Sequence, residues 1–373
     1  MRKCVLMLVN HDVVIYNFRL ELVEKLLNDG YEVHISSPYG ERIGELVSLG
    51  AVYHETVIER HGMNPLNEVK ILSRYRKIIA AIHPFIVLGY TIKPNIYGAV
   101  AARSAGIPFV ANITGLGTAA GNSGAGQWLA VLLYKAAFTH IQRVFFQNEE
   151  NRKFFLANNI AADRYRMLPG SGVNLERYPF TLLPQCGDGK TGKPVKFAFI
   201  SRIMKEKGIE QFLAAAECVC ARYPAVEFHV CGFCENEYEG RLEEMNAAGV
   251  VTYHGMIRDV AGFMSSIHCV VHPTFYPEGL SNVLLEACSS GRAVITTDRP
   301  GCREAVENGV NGYIVPQKDI KSLTAAIERF IGLTQKEKEQ MGQAGRKIAE
   351  KRFDRKIVVS AYMDEIWQAE AIQ

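Results

Sequence analysis

The sequence predicts an α/β protein made of two doubly wound parallel-sheet domains. Three observations predict it. Short runs that are apolar throughout alternate with longer helical patterns, as in "CVLMLVN" (4–10) followed by "FRLELVEKLLNDG" (18–30). Strands apolar on both faces and joined by helices form a parallel sheet covered on both sides. The alternation breaks once, at "PFTLLPQCGDGKTGKPVK" (179–196) with its three prolines and three glycines, and then restarts. A length of 373 residues also suits two domains, at roughly 100–200 residues each.

Taken in order, the first half reads as strands at "CVLMLVN", "YEVHISSP", "AVYHETV", "FIVLGYT", "PFVANIT" and "RVFFQN", with helical patterns between them such as "NEVKILSRYRKIIAAI". This first domain spans 1–180, and 181–196 reads as a linker because proline and glycine interrupt both regular structures there. The second domain, 197–353, carries strands at "KFAFIS", "VEFHVCG", "VTYHGMI", "CVVHPT", "AVITTD" and "GYIVP". Both are Rossmann-like by the same logic. Two helical patterns end the chain, "LTQKEKEQMGQAGRKIAEKRF" and "KIVVSAYMDEIWQAEA", and the second (within 354–373) is expected to return to the first domain.

Composition excludes several classes. Hydrophobic residues make up 48% and charged ones 22%, with a net charge of +3, too small to argue for nucleic acid. The nine cysteines are odd in number and mostly sit in apolar runs such as "AAECVCARY", which fits reduced, buried thiols in a cytosolic protein. "CVC" and "CGFC" match no zinc ribbon or finger spacing. The N-terminal apolar run is short and lacks a small-residue cleavage site, so it reads as a first buried strand. No stretch approaches the ~20 apolar residues that span a bilayer; in "WLAVLLYKAAF" Lys135 interrupts the run.

In open parallel sheets, ligands bind outside the carboxyl ends of the strands, and two such domains are expected to face each other across a cleft. The strand-to-helix loops are therefore the places to look. Arg202 and Lys207 follow "KFAFIS" just before a helix, where two cations add to the free N–H groups and the dipole to make an anion site; solvated surface charge is the alternative. In "FYPEGLSNVLLEACSSG" (275–291), Ser281 is an N-cap candidate, and amides at Leu280, Ser281 and Asn282 can hold phosphate oxygens. Glu278 precedes the helix and Glu286 lies one turn inside it. A carboxylate on an apolar helix needs a hydrogen-bonding partner; a sugar hydroxyl pair and a protein amide pair both fit. After the first, fourth and fifth strands come His11, Asp12, Asn17 and Arg19; Tyr90, Lys93 and Asn95; and Thr114, Gly115 and Gly117. Gly115-x-Gly117-x-x-Ala120 follows the wrong strand for a dinucleotide fingerprint, and no acid lies about 20 residues on. No Asp-x-Asp and no clustered His/Cys/Asp set occurs, so no Mg²⁺ or Mn²⁺ site on a nucleotide is indicated.

"SRIMKEKG" and "PEGLSNVLLEACSSGRAVITTDRPGCREAVENGVNGYIV" resemble the retaining glycosyltransferases of the GT-B fold, family 4, whose E-x7-E motif is matched by Glu278 and Glu286. The resemblance covers both domains. It implies that the second domain binds a nucleotide diphosphate sugar, most often UDP-linked. Arg202 and Lys207 would hold the diphosphate, Glu286 the ribose, and Glu278 the donor sugar. Gly279, Leu280, Ser281, Asn282 and Val283 would line the phosphates and sugar, with the uracil near Gly232, Ile257 and Arg258. The first domain would carry the acceptor. "IYNFRLELVEKLLNDGYEVHI" and "TIKPNIYGAVAARSAGIPFVANITGLG" are similar to bacterial enzymes of capsule, O-antigen and N-glycan precursor assembly. These include N-acetylgalactosaminyltransferases acting on undecaprenyl-diphosphate sugars at the cytoplasmic membrane face. Trp128, Leu129, Leu132 and Leu133 could then touch lipid, or form a core helix. Many relatives have a histidine near the end of the fourth strand, where this chain reads "LGYTIKPN". The expected mechanism is front-face, the departing phosphate oxygen accepting the acceptor proton. Two other readings share the nucleotide: a GT-B sugar-nucleotide epimerase, which would turn over donor without acceptor, and a non-catalytic nucleotide-sugar-binding protein.

Overall fold

Every residue of Cys4–Leu8 (β1) is buried, which is why an apolar run this short can be a strand with a helix layer on each side. A computed structural model of the chain describes residues 3–59, 64–115, 125–234, 236–277 and 279–372. They form two compact units, Met1–Ser171 with Arg355–Gln373, and Gly172–Asp354. The first unit continues with α1 (Asp12–Phe18), α2 (Leu20–Asn28), β2 (Glu32–Ser37), α3 (Ile43–Ser48), β3 (Val52–Glu55), α4 (Pro65–Ile82), β4 (Ile86–Tyr90), α5 (Ile92–Ser104), β5 (Phe109–Ile113), α6 (Ala125–Ala137), β6 (Arg143–Phe146), α7 (Glu149–Ala157) and β7 (Tyr165–Met167). Its seven strands are all parallel, in the order β3-β2-β1-β4-β5-β6-β7. Successive strand residues enter opposite cores. Val5, Met7, Ile86, Leu88 and Phe145 meet α1 and α2, whereas Leu6, Leu8, Val87, Phe109 and Phe146 meet α4 to α7.

The second unit holds β8 (Val195–Ile200), α8 (Ile209–Cys220), β9 (Val226–Cys231), α9 (Glu239–Ala247), β10 (Thr252–Tyr253), α10 (Val260–Ser266), β11 (Cys269–His272), α11 (Asn282–Ser289), β12 (Ala293–Thr297), β13 (Gly312–Val315), α12 (Ile320–Ile331) and α13 (Gln335–Ile348). Six parallel strands run in the order β10-β9-β8-β11-β12-β13. In both sheets the order reverses beside the first strand, so each has its switch point between the first and fourth strands of that unit, the position where such sheets bind ligands. The final helix, Arg355–Ile372 (α14), packs on the first unit. It buries Val358, Tyr362, Met363 and Ile366 in that core, and Glu365 takes Arg143 at 2.7 Å.

Three features depart from the sequence reading. The 181–196 stretch lies inside the second unit rather than between units. Its carbonyls are used there: the buried Arg292 guanidinium donates to Thr181 at 3.0 Å, and Gln335 Nε2 donates to Pro184 at 3.2 Å. β10 is only two residues long, because the chain turns at Gly255 (φ +63°). β7 has no buried residue to announce it.

Candidate active site

The carboxyl ends of β8, β9 and β10 are laid edge to edge by backbone hydrogen bonds. Ser201 N–H donates to the Cys231 carbonyl at 3.0 Å, Ile203 N–H to Phe233 at 2.8 Å, and Gly232 N–H to Gly255 at 2.8 Å. Gly232 has φ +145°, and a Cβ there would stand 1.8 Å from the Ser201 carbonyl oxygen, so only glycine allows this approach. Ile257 and Arg258 lie in the loop that Gly255 ties to Gly232; Ile257 is half-buried and Arg258 exposed.

The chain leaving β8 makes a 3₁₀ turn at Lys205–Lys207, then turns through Gly208 (φ +82°) into α8. This turn is joined to the loop leaving β11 across the switch point. Phe275 N–H and Thr274 Oγ1 both donate to the Glu206 carbonyl, at 2.8 and 3.1 Å. A Cβ on Gly208 would stand 2.2 Å from the Pro273 carbonyl oxygen. The join places the Tyr276 ring against both predicted phosphate cations: Arg202 Cζ is 5.6 Å and Lys207 Nζ 5.0 Å from its centroid. Lys207 is 9% exposed and Arg202 open to solvent. Lys318, after β13, sits over the neighbouring Phe275 ring at 4.5 Å. The sequence reading missed Tyr276, Phe275 and Lys318; an aromatic pair between a strand and a helix start was the available signal.

Ser281 is the N-cap residue of α11 (φ −75°, ψ 112°), but its side chain makes no cap hydrogen bond. Its Oγ instead lies 3.1 Å from His272 Nε2, and its N–H donates to the Gly301 carbonyl at 2.7 Å. The expectation that the Ser281 amide serves a ligand is therefore corrected: the 299–301 turn already uses it. Leu280 has its side chain in the core, so only its backbone could serve. Along α11, Leu284, Leu285, Ala287, Cys288 and Ser289 are buried, while Asn282, Val283 and Glu286 are half-buried. Those three fall at i, i+1 and i+4, one helical stripe. Glu286 thus lies on the open stripe with Asn282, not inside an apolar helix. Asn282 Oδ1 is buried with no hydrogen-bond partner among the described residues. Gly279 precedes this helix start; Glu278 lies outside the described residues.

In the first unit, the predicted acceptor residues turn inward. Arg19 is 2%, Tyr90 0% and Asn95 1% exposed. The Arg19 guanidinium lies 5.3 Å from the Tyr90 ring centroid and 5.4 Å from that of Tyr362. Asn95 Nδ2 donates to the Asn112 carbonyl at 2.9 Å, and Asn112 Nδ2 to the Tyr362 hydroxyl at 2.7 Å. Burial, then Tyr362, holds the Tyr90 phenol well above its ordinary pKa. Burial of these side chains is a correction to the acceptor assignment: Asn95, Asn112 and Tyr362 are joined by hydrogen bonds inside the unit, while Arg19 Nε, the Tyr90 hydroxyl and Asn95 Oδ1 are buried with no hydrogen-bond partner among the described residues. Lys93 is likewise engaged, 2.7 Å from Glu68, and the Asn17 carbonyl accepts from Arg355 at 3.1 Å. Asp12 is buried too, accepting from the Arg42 N–H at 2.8 Å. Thr114 and Gly115 remain half-buried after β5, and Gly117 lies outside the described residues.

Each unit matches its own family model. Residues 4–148 match the family model "Glycosyl transferase 4-like", and residues 188–348 match "Glycosyl transferases group 1". The chain is 26% identical over 330 residues to the N,N'-diacetylbacillosaminyl-diphospho-undecaprenol alpha-1,3-N-acetylgalactosaminyltransferase of Campylobacter jejuni, covering 85% of this chain and 86% of that protein. It is 24% identical over 350 residues to the capsular polysaccharide biosynthesis glycosyltransferase CapM of Staphylococcus aureus, covering 90% of each. Among solved structures, a glycosyltransferase of Rickettsia africae superposes with a TM-score of 0.83 at 16% identity, over 99% of this chain and 98% of that one. Anabaena Alr3699/HepE in complex with UDP and glucose gives 0.77 at 18% identity, over 99% and 100%.

Proposed function

The chain belongs to the family 4 glycosyltransferases of the GT-B fold, and from that premise we propose that it moves an N-acetylhexosamine from a UDP-sugar to a polyprenyl-diphosphate-linked sugar in surface-polysaccharide or glycan assembly. The observation that carries the donor half is the convergence of Arg202 and Lys207 on Tyr276, in the loop that leads into α11. Two cations at the switch point suit a diphosphate. The acceptor half rests on the Campylobacter jejuni relative, matched over most of both chains and named for an undecaprenol-diphosphate substrate.

In this reading Glu286 accepts hydrogen bonds from the ribose hydroxyls, Glu278 contacts the donor sugar, and Asn282 and Val283 line the phosphates. The bond from the anomeric carbon to the diphosphate breaks as the bond to the acceptor oxygen forms on the same face. The acceptor proton passes to the departing phosphate oxygen. Arg202 and Lys207 stabilise the charge that develops on the diphosphate, so no metal is required. The first unit serves the acceptor, and the chain works at the cytoplasmic membrane surface. Trp128 (65% exposed) and Leu132 (41%) stand one turn apart on α6, an arrangement suited to the headgroup layer. No helix among the described residues is long and apolar enough to cross a membrane.

The test is UDP release across a panel of nucleotide sugars, repeated with polyprenyl-diphosphate sugars added. Release should be slow with donor alone and rise with an acceptor. Acceptor-independent conversion of the sugar nucleotide, or UDP binding without transfer to any polyprenyl acceptor, would overturn the reading.

A further inference from the structure

The loop after β10, 255–258, borders the candidate donor site. Gly255 is tied to Gly232, and Gly232 stands against the Ser201 carbonyl, next to Arg202. Both ends of this loop meet one cluster of rings. His254, which precedes it, has Nε2 3.0 Å from Nδ1 of His229 on β9. Phe263, on the α10 helix that follows it, stands edge-on to both imidazoles, with centroids 5.9 Å from His229 and 5.2 Å from His254. We infer that His229 and His254 are positioning residues for the nucleoside end of the donor: their hydrogen bond holds the 255–258 loop closed on β9, and a second proton on the pair opens it. This rests on the donor reading above.

A hydrogen bond between two imidazoles needs one donor and one acceptor nitrogen. One proton lies between the rings. A second sets N–H against N–H and places two positive charges on rings whose centroids are 5.2 Å apart. The charged groups facing the pair offset this only in part. Glu227 Oε2 is 3.3 Å from His229 Nε2, but the same oxygen pairs with Lys196 Nζ at 3.0 Å. Asp259 is turned to the start of α10, accepting from Gly262 N–H at 2.8 Å. Burial, then the charge of His254, lowers the His229 pKa to about 4, and burial lowers that of His254. The pair is therefore closed at neutral pH and opens as pH falls from about 6.5 toward about 4. The first unit builds the same bond between its second and third strands. His34 Nδ1 lies 2.7 Å from His54 Nε2, and His34 Nε2 lies 2.9 Å from Glu32. No third ring stands against that pair among the described residues, which makes it a matched control.

The experiment measures affinity for UDP and for inorganic pyrophosphate by titration calorimetry, on the wild-type chain, His254→Ala, His254→Gln and His54→Ala. At about pH 7.5, His254→Ala should weaken UDP about fivefold, the size of one hydrogen bond, and leave pyrophosphate within about twofold. His254→Gln, whose amide can donate to His229 Nδ1, should stay within about twofold of wild type, and so should His54→Ala. The gap between wild type and His254→Ala for UDP should narrow as pH falls from about 6.5, because the wild-type pair is opening. The inference is overturned if His254→Ala binds UDP like wild type or weakens pyrophosphate equally. It is overturned too if His254→Gln loses as much as His254→Ala, if His54→Ala matches that loss, or if the gap stays constant with pH. Wild-type chain that binds no UDP defeats the donor reading, and this inference with it. UDP binding that His254→Ala leaves untouched defeats the inference alone.

Discussion

Gly208→Ala tests whether the site depends on the junction between the β8 and β11 loops. The added methyl would stand 2.2 Å from the Pro273 carbonyl oxygen and 2.6 Å from its carbon, both backbone atoms that no rotamer change can move. Reaching an ordinary contact of about 3.3 Å requires the loops to part by about 1 Å. That separation works against the Phe275 and Thr274 hydrogen bonds to the Glu206 carbonyl, each worth about 1 kcal/mol net. The left-handed backbone (φ +82°) costs an alanine about 1–2 kcal/mol more. Gly309 is the matched control: it has the same φ of +82°, with nothing within 4 Å of its Cβ position. Gly309→Ala should therefore lose about 1–2 kcal/mol, and Gly208→Ala about 3–4 kcal/mol, read by urea unfolding. A shift of about 1 Å in groups that hold the reacting phosphate can lower turnover about 100-fold. Gly208→Ala should show that loss in UDP release, and Gly309→Ala should not. If the two variants lose equal stability and Gly208→Ala keeps turnover within about threefold of wild type, the loops are not joined as described.

Lys207→Ala should raise the KM for the UDP-sugar about 10- to 100-fold, the range expected when a charged hydrogen-bond donor is removed; Glu286→Ala should lose donor affinity in the same assay, and normal transfer by both variants would refute the site. Turnover should be unchanged by EDTA, since Arg202 and Lys207 supply the charge; activity that disappears with chelator and returns with Mg²⁺ would contradict this. His268 is buried, with Nδ1 accepting from Lys196 N–H at 2.9 Å and Nε2 3.1 Å from the Pro184 carbonyl, and burial lowers its pKa to about 4. The unfolded chain, near 6.5, then takes up this proton first. The stability is present above pH 6.5 and is lost as pH falls toward 4, by up to about 3 kcal/mol. His268→Gln should remove that part of the decline, so equal pH slopes in urea unfolding of the two chains would contradict the assignment.

What the sequence shows of this molecule follows from what each residue type must do wherever it lies. Runs such as "CVLML" and "AVITT" are buried at every position, and no other element accommodates them, so the strands and their parallel arrangement were legible. β7 was obscure because it is short and carries no buried residue, leaving no periodicity to detect, whereas β10 was read within "VTYHGMI" and only its length of two residues was not. Polar residues at strand ends were ambiguous for a different reason. Asn112 meets Tyr362 across 250 positions of sequence, so an interior network and a ligand site look alike until the chain is folded. Tyr276 was hidden in the same way, its partners lying some seventy residues earlier. The stripe of Asn282, Val283 and Glu286 was readable in principle, since helical spacing alone puts the three together. The two glycines show how close reading can come. Gly208 and Gly232 are visible as glycines in the sequence, but what each permits is a close approach to another loop's carbonyl oxygen. The candidate donor site is held by those backbone contacts, and its charged side chains act from positions that the glycines make possible.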